Sequence, residues 1–252
     1  MTQPIIRFQA VSKSFGAQTV LRDFSLDVEP GAFVTVIGRS GCGKTTVLKL
    51  VNGLLAPDTG RVLVQGQDVA RADPVALRRR IGYAIQSVGL FPHMTVEKNI
   101  AYVPAISGLE GWKGKQRREK AAALLKQVGL DPALAGRYPR ALSGGQRQRV
   151  GIARALAAGP ELLLMDEPFG AVDEITRGQL QDELLRIHRE SGITVLFVTH
   201  DIAEALKLGT RTLVMDAGEI QQYDTPSRLL AHPATPFVER LVRRSRAFQA
   251  RA

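Results

Sequence analysis

The chain has 252 residues, 44% of them apolar, with a formal net charge of +10 at pH 7 and a single cysteine, Cys42. This length suits one large domain or two small ones. No apolar run approaches the roughly 20 residues of a membrane-spanning helix, and the first nine residues lack a signal-peptide pattern, so we expect a soluble protein. One cysteine excludes an intrachain disulfide and fits a reducing cytosol.

The positive charge is concentrated in residues 78–80, 113–120 and 240–251. Such clusters are typical of contact with nucleic acid or an anionic membrane face, and equally of solvated helix surfaces. For the last cluster, contact with anionic lipid is our hypothesis.

Strand-like apolar runs alternate with helical patterns along the chain, which indicates an α/β fold. The predicted strands are residues 5–11, 24–28, 33–37, 61–64, 81–85, 162–165 and 194–198. One predicted helix begins at Lys44, and the others cover residues 96–101, 115–128, 144–157, 175–190 and 202–208. The stretch between about residues 87 and 153 is mostly helical, which suggests a helical subdomain inserted in a strand-rich core.

The strongest local signal is at residues 38–45, Gly-Arg-Ser-Gly-Cys-Gly-Lys-Thr, which follows a predicted strand and opens a helix. Glycines let successive backbone N–H groups turn towards a phosphate chain, and the helix N-terminus adds partial positive charge. Lys44 is placed to bridge the β- and γ-phosphates, and the Thr45 hydroxyl to ligate Mg²⁺. The alternative, an ordinary glycine turn, is disfavoured by the strand–loop–helix context.

A second signal is the apolar strand at residues 162–165, which ends in Asp166 and Glu167. A buried strand delivers side chains rigidly at its carboxyl end, where ligands of open α/β sheets bind. Asp166 is expected to hold Mg²⁺ and Glu167 to orient or deprotonate the attacking water. An acidic pair after a strand is alternatively a helix cap.

The most diagnostic feature is residues 142–146, Leu-Ser-Gly-Gly-Gln, at the start of a predicted helix. The Ser143 hydroxyl and the amides of Gly144 and Gly145 form a second anion-binding helix start. A lone Ser-Gly-Gly is a common cap, but two phosphate-binding helix starts in one small chain require an explanation.

With these three motifs the sequence resembles the ABC ATPases over nearly its whole length. Residues 38–45 look like the Walker A motif, residues 162–167 like Walker B and residues 142–146 like the signature. The resemblance implies an α/β fold in which a P-loop NTPase (RecA-like) core carries an antiparallel β edge and an inserted α-helical subdomain. It makes residues 1–252 a single ABC ATPase domain, with the core at about 1–86 and 154–232, the helical subdomain at 87–153 and a short basic tail at 233–252.

Four further residues stand at motif positions of that family, three of them with the family's residue type. Gln86 resembles the Q-loop glutamine, which meets Mg²⁺ and the transmembrane partner. Asp173 ends a segment that resembles the D-loop, and His200 resembles the switch histidine that contacts the γ-phosphate. Phe15 stands where the family usually has a tyrosine stacked on adenine, and phenylalanine keeps the ring face.

The resemblance therefore implies ATP and Mg²⁺ as cofactors and assigns a role to each matching position. The implied catalytic residues are Glu167 and His200. The implied ATP-binding residues are Phe15, Gly38, Arg39, Ser40, Gly41, Cys42, Gly43, Lys44, Thr45, Thr46 and Gln86, and the Mg²⁺ ligands are Thr45, Gln86 and Asp166. In a head-to-tail dimer, the signature residues Leu142, Ser143, Gly144, Gly145 and Gln146 are expected to close over ATP held by the partner subunit.

Three stretches narrow the resemblance to importers of quaternary ammonium osmoprotectants such as glycine betaine, choline and carnitine. They are residues 85–96, residues 166–177, and the end of the chain at 218–225 and 232–238. Nitrate and sulfonate importers share the second stretch. Many osmoprotectant subunits carry a C-terminal pair of regulatory domains, which we expect this chain, ending at Ala252, to lack.

The implied partners are a second ATPase subunit, identical or paired, and an integral membrane permease that docks near residues 86–96, from Gln86 to Val96. An extracytoplasmic solute-binding protein is an indirect partner, no nucleic acid is expected, and the chain is expected at the cytoplasmic face of the inner membrane. The ATPase of another importer, of the nitrate or sulfonate type, and an exporter subunit are alternatives. A soluble ABC ATPase that acts on nucleic acid or ribosomes is another, although the gap of about a hundred residues between Walker A and signature holds no heptads.

Overall fold

The computed structural model describes residues 3–85, 88–170 and 172–249, with the side chains of all of these except 244–249. The strands are β1 Ile6–Phe15, β2 Gln18–Val28, β3 Phe33–Gly38, β4 Thr59–Val64, β5 Gln67–Asp68, β6 Ile81–Ala84, β7 Leu162–Asp166, β8 Thr194–Val198, β9 Arg211–Asp216 and β10 Glu219–Asp224. The α-helices are α1 Lys44–Val51, α2 Pro74–Arg80, α3 Val96–Ile100, α4 Tyr102–Ile106, α5 Gly114–Gln127, α6 Gly144–Leu156, α7 Glu174–Ser191, α8 Ile202–Leu208, α9 Pro226–Ala231 and α10 Pro236–Gln249. Two short 3₁₀ turns cover Pro132–Gly136 and Pro139–Ala141. No helix in the described ranges is long and apolar enough to cross a membrane.

The first of two structural units comprises Met1–Leu77 and Thr194–Ala252. It holds an antiparallel sheet in the order β2-β1-β4-β5, in which a register shift between Phe8 and Val11 coincides with the left-handed φ of 48° at Ala10. It also holds β3 between β8 and β9, parallel to both, with β10 antiparallel to β9. The strands β3 and β8 are continuous buried apolar runs, as parallel strands covered on both faces are.

The core of this unit continues onto the C-terminal helix α10. Val238 and Val242 of α10 are buried against Ile37 of β3, together with Val214 of β9 and Leu229 of α9. Since Ile37 directly precedes Gly38, the helix packs on the strand that leads into the predicted phosphate loop.

The second unit comprises Arg78–Ile193 and is mostly helical, with β6 parallel to β7. Its helices α3, α5 and α6 contact one another, and Ile100, Leu125 and Val150 are fully buried. The long helix α7 begins at the side-chain cap of Asp173 and ends at Gly192, whose φ of 66° is typical of a helix C-terminus.

The structure confirms the α/β class and the antiparallel β edge. Differences lie in individual elements: β2 begins at Gln18 rather than at residue 24, and α2, α4, α9, α10, β5, β9 and β10 were not predicted. The division into a core and an inserted helical subdomain, with the boundaries given above, stays a prediction.

Candidate nucleotide-binding site

The predicted phosphate loop lies between the end of β3 and the start of α1. A Cβ atom on Gly38 would lie 2.2 Å from the carbonyl oxygen of Met215 on the neighbouring strand, so the approach of β9 requires glycine. Gly43 is the N-cap of α1 with a φ of 103°, and as a glycine it has no side chain to cap the helix. The start of α1 is therefore open to an acceptor that comes from a ligand, and phosphate is the acceptor such helix starts bind.

Lys44 is the predicted phosphate-bridging cation, and its ammonium group lies on the loop itself. Its Nζ atom donates to the carbonyl oxygen of Gly38 at 2.9 Å and to that of Arg39 at 2.8 Å. Only 7% of the residue is exposed. A buried cation on a glycine-rich loop, held by neutral carbonyls alone in these two bonds, is well placed to exchange them for phosphate oxygens.

Two other loop residues face different surroundings. Cys42 is buried, and this burial raises the pKa of its thiol, while the charge of Lys44 acts in the opposite direction with a smaller effect. Arg39 extends outward, with its guanidinium carbon 5.1 Å from the ring centroid of Phe237 on α10 and its Nε 3.8 Å from Asp216 Oδ1. Cys42 thus fills space within the loop, whereas Arg39 links the loop to the C-terminal helix.

Phe15 and His200 belong to the same unit as the phosphate loop. Phe15 ends β1 with 48% of its surface exposed, so a ring face is accessible for stacking on a base. His200 is exposed and follows β8, whose Val198 pairs in parallel register with Val36 of β3. The carboxyl ends of β3 and β8 therefore lie at one edge of the sheet, and the structure brings His200 to the same edge as the loop.

The predicted acidic pair lies at the carboxyl end of β7 in the second unit. All five residues of β7 are buried, and Asp166 ends the strand. Burial, and after it the charge of Asp166, raises the pKa of Tyr83 to about 12. Glu167 follows with a left-handed φ of 46°, a conformation that costs free energy in a residue other than glycine and is found disproportionately at active sites.

The signature residues form the start of α6. Ser143 is the N-cap: its Oγ accepts from the N–H of Gln146 at 3.2 Å, and Gln146 Oε1 accepts from the N–H of Ser143 at 2.9 Å. This reciprocal pair is a capping box. Leu142 is buried and anchors the start of α6 in the protein interior, whereas Ser143 is exposed. The first residues of the helix therefore face solvent.

The remaining predicted residues are Asp173 and Gln86. Asp173 caps α7 through the N–H of Thr176 at 3.0 Å, and this hydrogen bond lowers the pKa of its carboxyl group. Gln86 lies outside the described residues, as do Ala171 of the D-loop-like segment and the last residues of the basic tail.

The sequence analysis did not identify the role of Asn99. It is fully buried in α3, accepts from the N–H of Phe91, and donates to the carbonyl oxygens of Phe91, Met94 and Thr95 at 3.0 to 3.1 Å. These bonds fix the chain at residues 91–95, part of the predicted permease-docking stretch. An asparagine in a helical pattern is a weak sequence signal, because its partners become visible only in three dimensions.

Comparisons with known proteins agree with this geometry. A family described as ABC transporter matches residues 21–170. The chain is 47% identical over 248 residues, 98% of its length, to the glycine betaine/carnitine/choline transport ATP-binding protein OpuCA of Bacillus subtilis, and it covers 64% of that protein. It is 48% identical over 241 residues, 96% of its length, to the glycine betaine uptake system ATP-binding protein YehX of Escherichia coli, and covers 77% of it.

A solved structure is also similar, that of the ATP-binding cassette MJ0796 as a dimer in a post-hydrolysis state bound to ADP and Pi. The TM-score is 0.81 at 33% sequence identity, with 88% of this chain and 98% of that chain covered. The chain spans slightly less than two thirds of the length of several curated relatives, between 62% and 64%. On the family match and these identities, the chain belongs to the ABC transporter family.

Proposed function

We propose that this chain is the ATP-hydrolysing subunit of an ABC importer for quaternary ammonium osmoprotectants such as glycine betaine, choline or carnitine. The observation that carries the proposal is the arrangement of the loop before α1. The N-cap of α1 is a glycine without a capping side chain, and the buried Lys44 donates hydrogen bonds to two carbonyl oxygens of the loop. This arrangement is suited to a triphosphate. The names of the similar transport proteins support the solute class.

In the proposed mechanism, each residue supplies one part of the reaction. The loop amides and Lys44 bind the β- and γ-phosphates and take up negative charge as the terminal bond breaks. Glu167 orients or deprotonates the attacking water, and His200 contacts the γ-phosphate. Phe15 stacks on adenine through its exposed ring.

Mg²⁺ is the proposed metal, and the residue types fit it. The Thr45 hydroxyl and the Asp166 carboxylate are oxygen donors, the ligand class that Mg²⁺ prefers, and Gln86 would supply a third oxygen. When bound, the metal neutralises phosphate charge.

The proposed assembly is a dimer of ATPase subunits, identical or paired, docked on a membrane permease at the cytoplasmic face of the inner membrane. ATP held by one subunit is closed over by residues 142–146 of the other, and closure moves the permease through residues 86–96. The dimeric structure of the similar cassette supports the pairing. The transported solute meets the permease and an extracytoplasmic binding protein, so no residue of this chain selects it.

Titration of the purified chain with ATP tests the nucleotide-binding part of the ATPase assignment. Lys44→Ala should lower ATP affinity about 100-fold because the phosphates lose their buried cation. Lys49→Ala is the matched control, since Lys49 is an exposed lysine of the same helix. Equal affinities of the two variants would contradict the assignment.

Glu167→Gln should retain ATP binding and lose at least about 100-fold in turnover, because a general base contributes that much or more. Glu161→Gln is its control, an exposed acid at the amino end of the same strand. Near-normal turnover in Glu167→Gln would refute the assigned role.

The partner is tested by isolating tagged Glu167→Gln protein from native membranes with ATP and Mg²⁺, followed by mass spectrometry. We expect a multi-spanning permease, together with a binding protein that carries an aromatic cage for quaternary amines. Recovery of ribosomal or DNA-associated proteins alone would overturn the transporter proposal and leave the ATPase assignment standing.

A further inference from the structure

Asp58, the residue before β4, binds three consecutive residues near the end of β1. Its backbone N–H donates to the carbonyl oxygen of Ser12 at 2.9 Å. Its Oδ1 accepts from Lys13 Nζ at 2.6 Å, and its Oδ2 accepts from the N–H of Ser14 at 2.7 Å. One residue thus binds the whole segment that leads into Phe15, which ends β1.

These bonds lie where regular strand pairing stops. The last pair between β1 and β4 is Ser12 with Thr59, and the register between β1 and β2 shifts on both sides of Lys13. After Phe15, Gly16 turns the chain towards β2 with a left-handed φ of 58°. The end of β1 is therefore irregularly paired, and the side chain of Asp58 holds residues that β4 does not pair with.

Lys13 extends the contact from Asp58 to the ring of Phe15. Its Nζ lies 5.7 Å from the ring centroid, within the range of a cation–π interaction. The hydrogen bond from Lys13, and after it that from the N–H of Ser14, lowers the pKa of the Asp58 carboxyl group, so the group is a carboxylate at neutral pH. An ammonium group between a carboxylate and one ring face fixes that face and leaves the other face of the exposed ring for a base.

The same end of the hairpin packs beside the phosphate loop. Lys13 pairs with Leu21 of β2, and a Cβ on Gly43, the N-cap of α1, would lie 2.8 Å from Leu21 Cδ2. The strand that carries Phe15 and the start of α1 thus belong to one packed region. A site that binds a phosphate chain and a base together requires such an arrangement.

We propose that Asp58 is a positioning residue for nucleotide binding, which holds Lys13 and the backbone of residues 12–14 so that one ring face of Phe15 is presented to adenine. The inference rests on the proposed function and deepens it, since it names the group that orients the aromatic platform. Asp58 acts through Lys13 and Phe15 and does not bind the phosphates. Its loss should therefore weaken the part of the affinity that comes from the base and leave the part that comes from the phosphate chain.

Binding of two ligands to the purified full chain tests this division. The ligands are ATP and inorganic tripolyphosphate, which has a phosphate chain and no base, and each displaces a fluorescent ATP analogue in the presence of Mg²⁺. Phe15→Ala should raise the Kd of ATP about tenfold, because stacking of one base contributes on that order. Asp58→Ala should raise it about fourfold, since the ring remains but loses its fixed orientation. Both variants should keep the Kd of tripolyphosphate.

A double-mutant cycle shows whether Asp58 acts through the ring. The variant that combines Asp58→Ala with Phe15→Ala should bind ATP no more weakly than Phe15→Ala alone, because nothing remains to be oriented. Lys13→Met removes the ammonium group and keeps the bond between Asp58 and Ser14, so its loss in ATP affinity should be smaller than that of Asp58→Ala. If Asp58→Ala is unfolded at the assay temperature, Asp58→Asn takes its place, because its amide oxygen still accepts from the N–H of Ser14.

The matched control is Asp27→Ala. Asp27 of β2 accepts from Arg7 Nε at 2.8 Å and from Arg7 Nη2 at 2.9 Å, in the same sheet but near the other end of β1. Removal of this ion pair should leave the affinities for ATP and tripolyphosphate unchanged. An ATP loss equal to that of Asp58→Ala would mean that any ion pair of this sheet has the same effect, and would overturn the positioning role.

The other outcomes separate the inference from the proposed function. Equal losses for ATP and tripolyphosphate in Asp58→Ala would overturn the inference, as would losses that multiply when Asp58→Ala is combined with Phe15→Ala. Unchanged ATP affinity in Asp58→Ala beside a weakened Phe15→Ala would overturn it too, with the proposed function intact. A chain whose ATP affinity is unaffected by Lys44→Ala would instead overturn the proposed function itself.

Discussion

The protein contains two helix starts suited to anions, and they are built in opposite ways. The start of α1 has glycine at the N-cap, which brings no capping side chain, so a ligand can take the place of the cap. The start of α6 has a capping box in which Ser143 and Gln146 satisfy each other's backbone N–H groups. The first start is completed by a ligand, whereas the second is stable without one.

The space around the glycines also differs between the starts of α1 and α6. A Cβ on Gly43 would lie 2.8 Å from Leu21 Cδ2 and 2.9 Å from the carbonyl oxygen of Val20, so the side of α1's N-cap that faces these residues is enclosed. Among the described residues, a Cβ on Gly145 would meet only Val172 Cγ1, at 3.9 Å. The enclosed start is suited to lasting contact with one ligand, and the open start to contact that is made and broken as a partner subunit approaches.

Of the substitutions that test the difference between the two helix starts, Gly43→Ala should have the largest effect on stability and ATP binding. Alanine at a φ of 103° is strained, and its Cβ has no space, so the free energy of unfolding should fall by about 2 kcal/mol or more and ATP binding should be lost. Urea denaturation and titration with a fluorescent ATP analogue measure the two effects.

Gly145→Ala is the counterpart on the open start. Alanine is the better helix former by up to about 1 kcal/mol, so stability should be equal or higher, while ATP affinity of the single subunit should be unchanged. A variant that unfolds as easily as Gly43→Ala would remove the distinction between the two starts.

The sequence predicts the α1 start well because its signals are local. Five of the seven predicted strands and all the predicted helices reappear with shifts of at most two residues at their ends, while β1 extends four residues beyond its predicted end. Residues 38–45 run from the last residue of β3 into α1, and residues 162–167 cover β7 and the residue after it. The roles of the predicted site residues stay predictions, and Gln86 lies outside the described residues.

What the sequence does not reveal depends on backbone conformation and long-range contacts. The turn between β9 and β10 has two left-handed residues, Ala217 at 48° and Gly218 at 83°, and alanine is not the residue such a turn normally signals. The left-handed Asp23 interrupts the alternation along β2, which hides its first half. Arg154 donates to the carbonyl oxygens of Val88 and Gly89, and Asn99 likewise binds backbone groups only in its four bonds described above. No side-chain pattern in a sequence identifies such partners.

Two substitutions of Ser143 should have smaller effects, and together they distinguish its role as a helix cap from a role in binding phosphate. Ser143→Ala should lower the free energy of unfolding by about 1 kcal/mol, because Gln146 loses its acceptor. Ser143→Asp keeps a strong N-cap and should retain stability, yet it should reduce ATP turnover about tenfold or more, because a carboxylate repels phosphate.

Thermal unfolding and steady-state turnover of the two Ser143 variants provide the readouts. Normal turnover in Ser143→Asp would mean that the α6 start meets no phosphate, and it would then be only a helix cap.

The last prediction tests whether the start of α1 is enclosed, and it requires no substitution. The quantity measured is the alkylation rate of Cys42, the single cysteine. Burial raises the pKa of this thiol above its ordinary value. Because the thiolate is the reactive form, a raised pKa leaves less of it at pH 8, and burial also restricts access. Alkylation by iodoacetamide should therefore be at least about tenfold slower in the folded chain than in urea. Mass spectrometry over time measures both rates, and the rate in the folded chain should rise with pH beyond 9. Equal rates in the two states would mean that the loop opens freely, and the contrast between an enclosed and an open helix start would then fail.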